Sequence, residues 1–199
     1  MIDTSRICVI DFETTGFKQN APVSLAVAFY ENNKRTYAKY ILINPEAQIE
    51  AGAYKVHGIS QVEAETHDNF SVVWKEIRPY FENSIIVAHN AQYDVEKVLI
   101  PTLKRYNIPV PTLEKLCTRD NARAILPKQK SYTLDALCDY FGIVCENHHT
   151  ASFDTMMCQR IFARLYNLDK EKMFSVIIKG DYDPSKKVSN SDFDEDFDF

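Results

Sequence analysis

Arg6-Ile7-Cys8-Val9-Ile10-Asp11-Phe12-Glu13-Thr14-Thr15-Gly16 decides how this chain is read. Cys8, Val9 and Ile10 form an apolar, β-branched lead-in that ends in two carboxylates, two hydroxyls and a glycine. That is the pattern of a short buried strand stopped by a turn. Side chains two apart on a strand share a face. Asp11 and Glu13 therefore project together, and Phe12 turns the other way, into a core. Two carboxylates so close repel each other, and one keeps its proton unless something neutralises them. A hard divalent cation does so, and oxygen donors suit Mg²⁺ or Mn²⁺.

Working outward, Pro22 to Phe29 and Tyr37 to Ile43 read as two further strands joined by a hairpin turn at Glu31-Asn32-Asn33. With the opening strand they make an antiparallel, three-stranded start. Ile49 to Val56 reads as a short helix stopped at His57-Gly58, and Ser60 caps a brief turn with Glu63 at the capping-box position. Asn69 to Phe81 places Phe70, Val73, Trp74, Ile77 and Phe81 at helical spacing. Ser84 to Ala88 is a short buried strand that runs into His89-Asn90. The following helix carries Tyr93, Val95, Val98, Leu99 and Leu103, and Pro101 should kink or split it. Leu113 to Cys117 reads as a strand, Arg119 to Ile125 as a helix, and Pro127 to Lys130 as a polar loop. Thr133 to Phe141 reads as a helix with Leu134, Leu137, Tyr140 and Phe141 inward, ended by Gly142. The last long helix runs from Thr150 to Leu168 on a stripe of Met157, Cys158, Ile161, Phe162 and Leu165. Met173 to Ile178 fits a strand or a helix. Strands first, then helices alternating with strands, point to a mixed α/β sheet covered by helices.

Composition agrees with one domain. The chain has 199 residues, 45% of them hydrophobic, enough for a substantial core over residues 1–179. From Gly180 the composition shifts to Ser, Asp and Phe, which reads as an acidic tail over 180–199. No run reaches the roughly 18 apolar residues a membrane helix needs, and no secretory signal is visible at the start. The five cysteines, at 8, 117, 138, 145 and 158, contain no C-x-x-C pair. Such a set reads as reduced thiols in a cytoplasmic protein. The net charge is −5, and residues 183–199 hold six acids against Lys186 and Lys187, so the body is left near neutrality at −1. A nearly neutral body argues against an extended binder of duplex phosphates and leaves room for a strand end held beside a metal.

Two more acids stand out. Asp94 lies in the first turns of the helix after a buried strand, where α/β sheets place their sites. An acid there is also favoured simply by the positive end of the helix. Asp154 lies on the apolar side of the last helix, where a bare carboxylate is costly; a salt bridge to Arg160 or Lys97 is its plain alternative. His149, five residues earlier, belongs to the loop that enters that helix and can reach over the same cavity.

Together these residues resemble the DEDDh 3′–5′ exonucleases, the group that includes the proofreading epsilon subunit of bacterial replicative polymerase. Three motifs carry the resemblance: Val9-Ile10-Asp11-Phe12-Glu13-Thr14-Thr15-Gly16, then Val87-Ala88-His89-Asn90-Ala91-Gln92-Tyr93-Asp94, then the H-x-A-x-x-D pattern His149-Thr150-Ala151-Ser152-Phe153-Asp154. Val56 to Ser60 and Tyr132 to Leu137 match in style. The resemblance spans roughly residues 6–168 and implies a ribonuclease-H-like fold, with three antiparallel strands followed by parallel ones and helices at the flanks. It also implies that Asp11, Glu13, Asp94 and Asp154 bind two divalent ions, Mg²⁺ or Mn²⁺, with His149 as general base. Two ions balance four carboxylates and stabilise both the attacking and the leaving oxygen, and a histidine titrates near the working pH. Thr14, Thr15, Gly16 and Phe17 then seat the terminal nucleotide. Asn90 either helps hold the strand or caps the helix. Lys128 and Lys130 either touch phosphates or sit in a solvated loop.

The implied activity is removal of 5′-monophosphates from the 3′ end of single-stranded DNA, as in proofreading or repair. A 3′–5′ exoribonuclease of the ribonuclease T or oligoribonuclease type shares the motifs. A non-catalytic polymerase-associated module is a remoter reading, since all five catalytic positions are filled. An aspartyl-phosphate phosphatase is suggested by Asp11-x-Glu13-x-Thr15, but it leaves Asp94, His149 and Asp154 idle, and its late motif has Ser185 where an acid belongs. The tail Ser191 to Phe199 reads as a solvated acidic segment or as a docking segment for a polymerase or other replication protein, with Phe197 and Phe199 as anchors.

Overall fold

A computed structural model describes residues 5–144, 151–175 and 178–180. Its frame is a six-stranded sheet in the order β3-β2-β1-β4-β5-β6, built from β1 (Arg6–Thr14), β2 (Pro22–Glu31), β3 (Lys34–Leu42), β4 (Ile85–Ala88), β5 (Leu113–Cys117) and β6 (Ile178–Gly180). The opening stretch is the central strand. It pairs antiparallel with β2, which pairs antiparallel with β3, and it runs parallel to β4, itself parallel to β5. At the far edge β6 is antiparallel to β5. The 173–178 segment, open between helix and strand, contains the end of one and the start of the other.

The β2–β3 hairpin turns on Asn32 and Asn33, at φ 50° and 64°. Two successive positive φ values are what a two-residue type I′ turn demands, and its twist matches that of the flanking strands. Among the described residues, asparagine makes most of the left-handed corners. Asn20, Asn83, Asn90 and Asn107 also have positive φ, as do Glu46, Gly16, Gly58 and Gly142.

Helices cover both faces. On one, Cys8, Ile10 and Phe12 pack with residues of β2 and β4 against α3 (Phe70–Phe81) and the helical segment after β4. Fully burying side chains such as Phe70 and Phe81 is worth about 1.5–3 kcal/mol each. On the other, Ile7, Val9, Ile85, Val87 and Leu116 meet α5 (Thr118–Ile125), α6 (Leu134–Phe141) and α7 (Ala151–Leu168), and Met173 of α8 (Lys170–Ser175) joins them. Every residue of the expected α7 stripe is buried. Two short helices, α1 (Ala51–His57) and α2 (Gln61–Glu65), stand beside the end of β1. As the sequence suggests, α1 stops at Gly58, at φ 72°, and Ser60 Oγ accepts the Glu63 N–H at 3.2 Å.

Three local features depart from the sequence reading. In α6 the inward residues are Leu137 and Cys138, with Leu134 and Phe141 partly buried, whereas Tyr140 is 45% exposed. At 100° per residue Tyr140 falls roughly 100° off the centre of that stripe, and it stacks edge-on against Phe141 instead. The helix after β4 is wound wide: Gln92–Leu99 is π-helical, with the Ile100 N–H reaching back to the Val95 carbonyl, before α4 (Ile100–Arg105) resumes the ordinary pitch. The change falls beside Pro101, whose missing N–H breaks the ladder. Finally, Lys115 in the middle of β5 is buried and forms a salt bridge with Glu96 of the π-helical segment.

Cys8, Cys117, Cys138 and Cys158 are buried free thiols. No helix among the described residues is long and apolar enough to cross a membrane. Cys145, His149 and the tail from 181 lie outside the described residues.

Candidate active site

Strand β1 outruns its parallel neighbour. Pairing with β4 ends at Val9 and Val87, so the last residues of β1 stand clear on that side. Asp11 and Glu13 continue the face of Ile7 and Val9, the face on which α7 packs. The first turn of α7 brings Asp154 to them. One carboxylate oxygen each from Asp11, Glu13 and Asp154 lies within 4.8 Å of the others. Asp94, buried in the π-helical segment, closes the group from the β4 side, where its Oδ1 accepts the Phe12 N–H at 3.2 Å. Acids from three separate stretches of the sequence thus meet where one strand ends and two helices begin.

Burial raises the carboxyls of this site, and for Asp11 and Glu13 the neighbouring carboxylates add to it. Burial, then the charges of Asp94, Glu13 and Asp154, holds the Asp11 carboxyl well above the usual carboxylate range. Burial, with Asp154 and Asp94, pushes Glu13 up to about 8. Burial raises Asp94 to about 7, against the stabilising N–H of Phe12. Carboxylates retain protons in this way when no counter-charge is present. An all-oxygen donor set that suffers from its own repulsion fits a hard divalent cation.

These acids form the floor of a cleft of about 440 Å³. Its wall is α1, which contributes Gly52, Ala53, Val56 and His57, and the loop after β1, which contributes Gly16 and Phe17. Phe17 is 70% exposed and Val56 41%, an apolar rim facing an acidic floor. Glu50, just before α1, ties loop to helix: its N–H donates to the Thr15 carbonyl at 2.9 Å and its Oε1 accepts the Lys18 N–H at 2.9 Å. Gly16 makes the crossing possible. It sits at φ 107°, and a Cβ there would lie 2.7 Å from Glu50 Cδ. Gly16→Ala should therefore cost about 1–3 kcal/mol in denaturant unfolding, more than Gly58→Ala, whose Cβ would meet open space. Equal costs would show that the Glu50 contact is unimportant.

Both histidines of the described cleft are committed elsewhere. His57 Nδ1 accepts the Ile59 N–H at 3.0 Å, so Nε2 carries the proton and donates to the Thr14 carbonyl at 3.2 Å. His89 Nε2 faces the Tyr132 carbonyl at 3.1 Å and must donate to it, which leaves Nδ1 to accept from Thr118 Oγ1 at 2.8 Å. Burial lowers the pKa of His57, and burial together with Arg119 lowers His89 to about 4. Each is neutral with both nitrogens used.

The remaining sequence candidates divide. Thr14, Gly16, Phe17 and Asn90 line the cleft. Thr15 is buried, and its hydroxyl accepts the Ala21 N–H at 3.1 Å, closing the 15–21 turn. Asn90 does not cap the helix. Its φ of 78° makes the corner out of β4, and its Oδ1 accepts from Arg119 at 2.9 Å. Lys128 and Lys130 are exposed and do not line the cleft. Phe153 packs partly into the core under α7, while Tyr93 lies between core and cleft. Sequence reasoning missed Glu50, Gly52, Ala53 and the two neutral histidines. The available signal was weak: Ala51-Gly52-Ala53-Tyr54-Lys55-Val56-His57 carries no apolar stripe, and α1 indeed buries none of its residues.

A mixed sheet of this order, with clustered carboxylates at the end of its central strand, defines a ribonuclease-H-like, metal-dependent hydrolase. The chain belongs to the exonuclease family described as RNase_T, which matches residues 8–162, and within it to the DEDDh-type 3′–5′ exonucleases. It is 29% identical over 189 residues to "DNA polymerase III subunit epsilon" of Buchnera aphidicola subsp. Schizaphis graminum, covering 89% of this chain and 79% of that one. It is 31% identical over 162 residues to "DNA polymerase III PolC-type" of Listeria innocua serovar 6a, covering 77% of this chain and 11% of that one; the chain thus spans about a tenth of the PolC-type relatives' length. The solved nuclease domain of 3′hExo, a DEDDh family member bound to rAMP, shares the fold with a TM-score of 0.71 at 16% identity, covering 83% of this chain and 93% of that one.

Proposed function

We propose that the cleft removes nucleotides one at a time from the 3′ end of a single strand, DNA in preference to RNA, and releases 5′-monophosphates. The observation that carries this reading is the meeting of Asp11, Glu13 and Asp154 within 4.8 Å, with Asp94 behind them, at the floor of a cleft one nucleotide can enter. In this proposal the four acids hold two divalent ions, Mg²⁺ or Mn²⁺. When bound, the ions supply the positive charge that an in-line displacement at phosphorus develops a need for. Thr14 and the loop to Phe17 seat the terminal nucleotide, with Phe17 and Val56 offering an apolar face to its base, and Asn90 holds the strand. Preference for DNA rests on the likeness to DNA polymerase III proteins.

A general base must be able to take a proton. His57 and His89 have no nitrogen to spare; in this proposal the base is His149, on the resemblance of His149-Thr150-Ala151-Ser152-Phe153-Asp154 to the family's third motif, and it lies outside the described residues. His149→Ala should slow turnover roughly 10²–10⁴-fold and leave Mn²⁺ affinity, read by calorimetry, within a few-fold of the parent. Matching losses of metal affinity in His149→Ala and Asp11→Ala would contradict that division of labour. The reading itself is tested with matched linear and circular DNA and RNA strands in Mn²⁺. Stepwise shortening of linear DNA from its 3′ end supports it, whereas survival of the linear strand or equal cutting of the circle overturns it. For the segment 180–199 we keep the proposal of a tail that docks on a polymerase or other replication protein. Binding to such a partner that survives deletion of residues 190–199 would end it.

A further inference from the structure

The outer face of α7 carries an uncompensated pair of charges. Arg160 and Arg164 stand four residues apart, both exposed. Like charges at that spacing repel and weaken a helix slightly. No acid lies three or four residues from either on α7, and neither forms a salt bridge with a described acid. Between them and the end of α6 runs an open groove of about 430 Å³. Gln159, Arg160, Ala163 and Arg164 form its basic wall, and Ile143 and Val144, just past the Gly142 cap, its apolar one. Val144 is 69% exposed, as is 37% of Met156, one turn before Arg160. The groove stands apart from the carboxylate cleft, with which it shares no lining residue.

The chain contains a segment of matching pattern. From 192 to 198 every even position is aspartate, and Phe193, Phe197 and Phe199 share the odd positions with Glu195. Alternate side chains of an extended backbone point to opposite sides. Laid out so, the segment offers a row of carboxylates on one side and phenylalanines on the other. Aspartates two apart are spaced about 6.5–7 Å along it, close to the roughly 5–6 Å between the Cβ atoms of residues such as Arg160 and Arg164. The chain is also long enough. β6 ends at Gly180 on the edge of the sheet, and α8, just before it, packs against α5 and α7. Residues 181–191 span up to about 40 Å, the breadth of a domain whose radius of gyration is about 16 Å. Two exposed ion pairs alone make a weak complex. A short tether, however, presents the segment at an effective concentration on the order of millimolar, far above that of a second copy in dilute solution.

We propose that residues 192–199 dock on their own domain, in the groove between the end of α6 and the outer face of α7, with the aspartates on Arg160 and Arg164 and the phenylalanines against Ile143 and Val144. This goes beyond the exonuclease reading and does not depend on it. A replication protein that takes the same segment must first displace it from the groove.

The test irradiates the full-length chain, with p-benzoylphenylalanine in place of Phe197, at low micromolar concentration and maps the cross-linked peptides by mass spectrometry. Cross-links within one chain, to Val144 or to residues 156–164, are expected. Arg160→Glu with Arg164→Glu should lower their yield about ten-fold, with thermal melts showing a folded protein. Asp192→Lys, Asp194→Lys, Asp196→Lys and Asp198→Lys together, which alter no residue of the sheet or helices, should lower it equally. Combining the two sets should restore the yield, which loss of stability would not do. Cross-links elsewhere on the chain, or an undiminished yield in either set, overturn the inference. A covalent dimer on a denaturing gel overturns it in favour of a second copy. A cross-link that survives in the arginine variant, while single-strand binding weakens and its salt dependence becomes shallower, overturns it by giving the arginines to phosphates.

Discussion

Asp11→Asn should abolish turnover and, in the same protein, raise the melting point of the metal-free fold. The two effects share a cause. Asp11 lies between β1's other acid and the two carboxylates brought by the helices, and each of its neighbours raises its pKa. Replacing it by an amide of the same shape removes a group that must either ionise against its neighbours or hold a proton, and keeps the packing of the strand. Without its counter-charge the set is a liability, so the metal-free variant should melt several degrees above the parent near pH 8, at about 2–4 °C per kcal/mol for a chain of this size. Activity should drop by roughly 10³-fold or more, as expected when several kcal/mol of charge stabilisation is lost. Mn²⁺, which should raise the parent's melting point, should scarcely move the variant's. A variant that melts lower than the parent without metal would show that Asp11 is held by attractive partners rather than strained by repulsive ones.

The second large effect is on pH. Glu13 is raised from 4.5 to about 8 and Asp94 from 3.8 to about 7, with Asp11 also well above its ordinary range. Through that interval the folded protein holds protons that the unfolded chain has already released, so stability must fall as pH rises. The contribution is present in full below about pH 4 and is gone above about pH 8. The two neutral histidines act in the opposite sense. Their pKa values are lowered on folding, so what they contribute is present above their unfolded value of 6.5 and lost as pH falls below it. Between pH 6.5 and 8 the carboxylates dominate; toward pH 8.5 the buried thiols of Cys8, Cys117 and Cys158, raised by burial, begin to act in the same sense. The metal-free melting point should drop over that window by on the order of 5 °C, and saturating Mn²⁺ should reverse the drop by mass action, about 2.7 kcal/mol at a hundred times its Kd. A flat profile in chelator, or one that Asp11→Asn does not flatten, would refute the account.

Much of this was written locally. β1 is legible because β-branched residues run unbroken into a turn signal, and β2–β3 because Asn32-Asn33 admits one hairpin geometry. The acids of the cluster were legible because each stands at the end of an element, where a polar residue among apolar ones demands a reason. What stayed hidden depends on partners distant in sequence. Nothing near His57 or His89 announces that the carbonyls of Thr14 and Tyr132, respectively, will claim the Nε2 proton of each. Thr14 and Thr15 look equivalent, yet one faces the cleft and the other closes a turn. Lys115 sits on the same side of β5 as Leu113 and Cys117, so alternation alone would place that side in water or leave the lysine unexplained. The Glu96 carboxylate that pairs with it comes from a helix whose wide winding no periodicity discloses.

The asparagine corners bear on the chain before it folds. Six of them adopt a positive φ that glycine would take without strain, in a chain with only five glycines. Glycine at each corner would remove that strain and would also give the unfolded chain far more conformations to surrender. An asparagine keeps its β-carbon in both states, so the disordered chain is already confined at the places where it must later bend. The fold accepts a small strain at its corners and begins from a less mobile denatured ensemble, with less conformational freedom to lose between β2 and β3 and between β4 and the helix that carries Asp94.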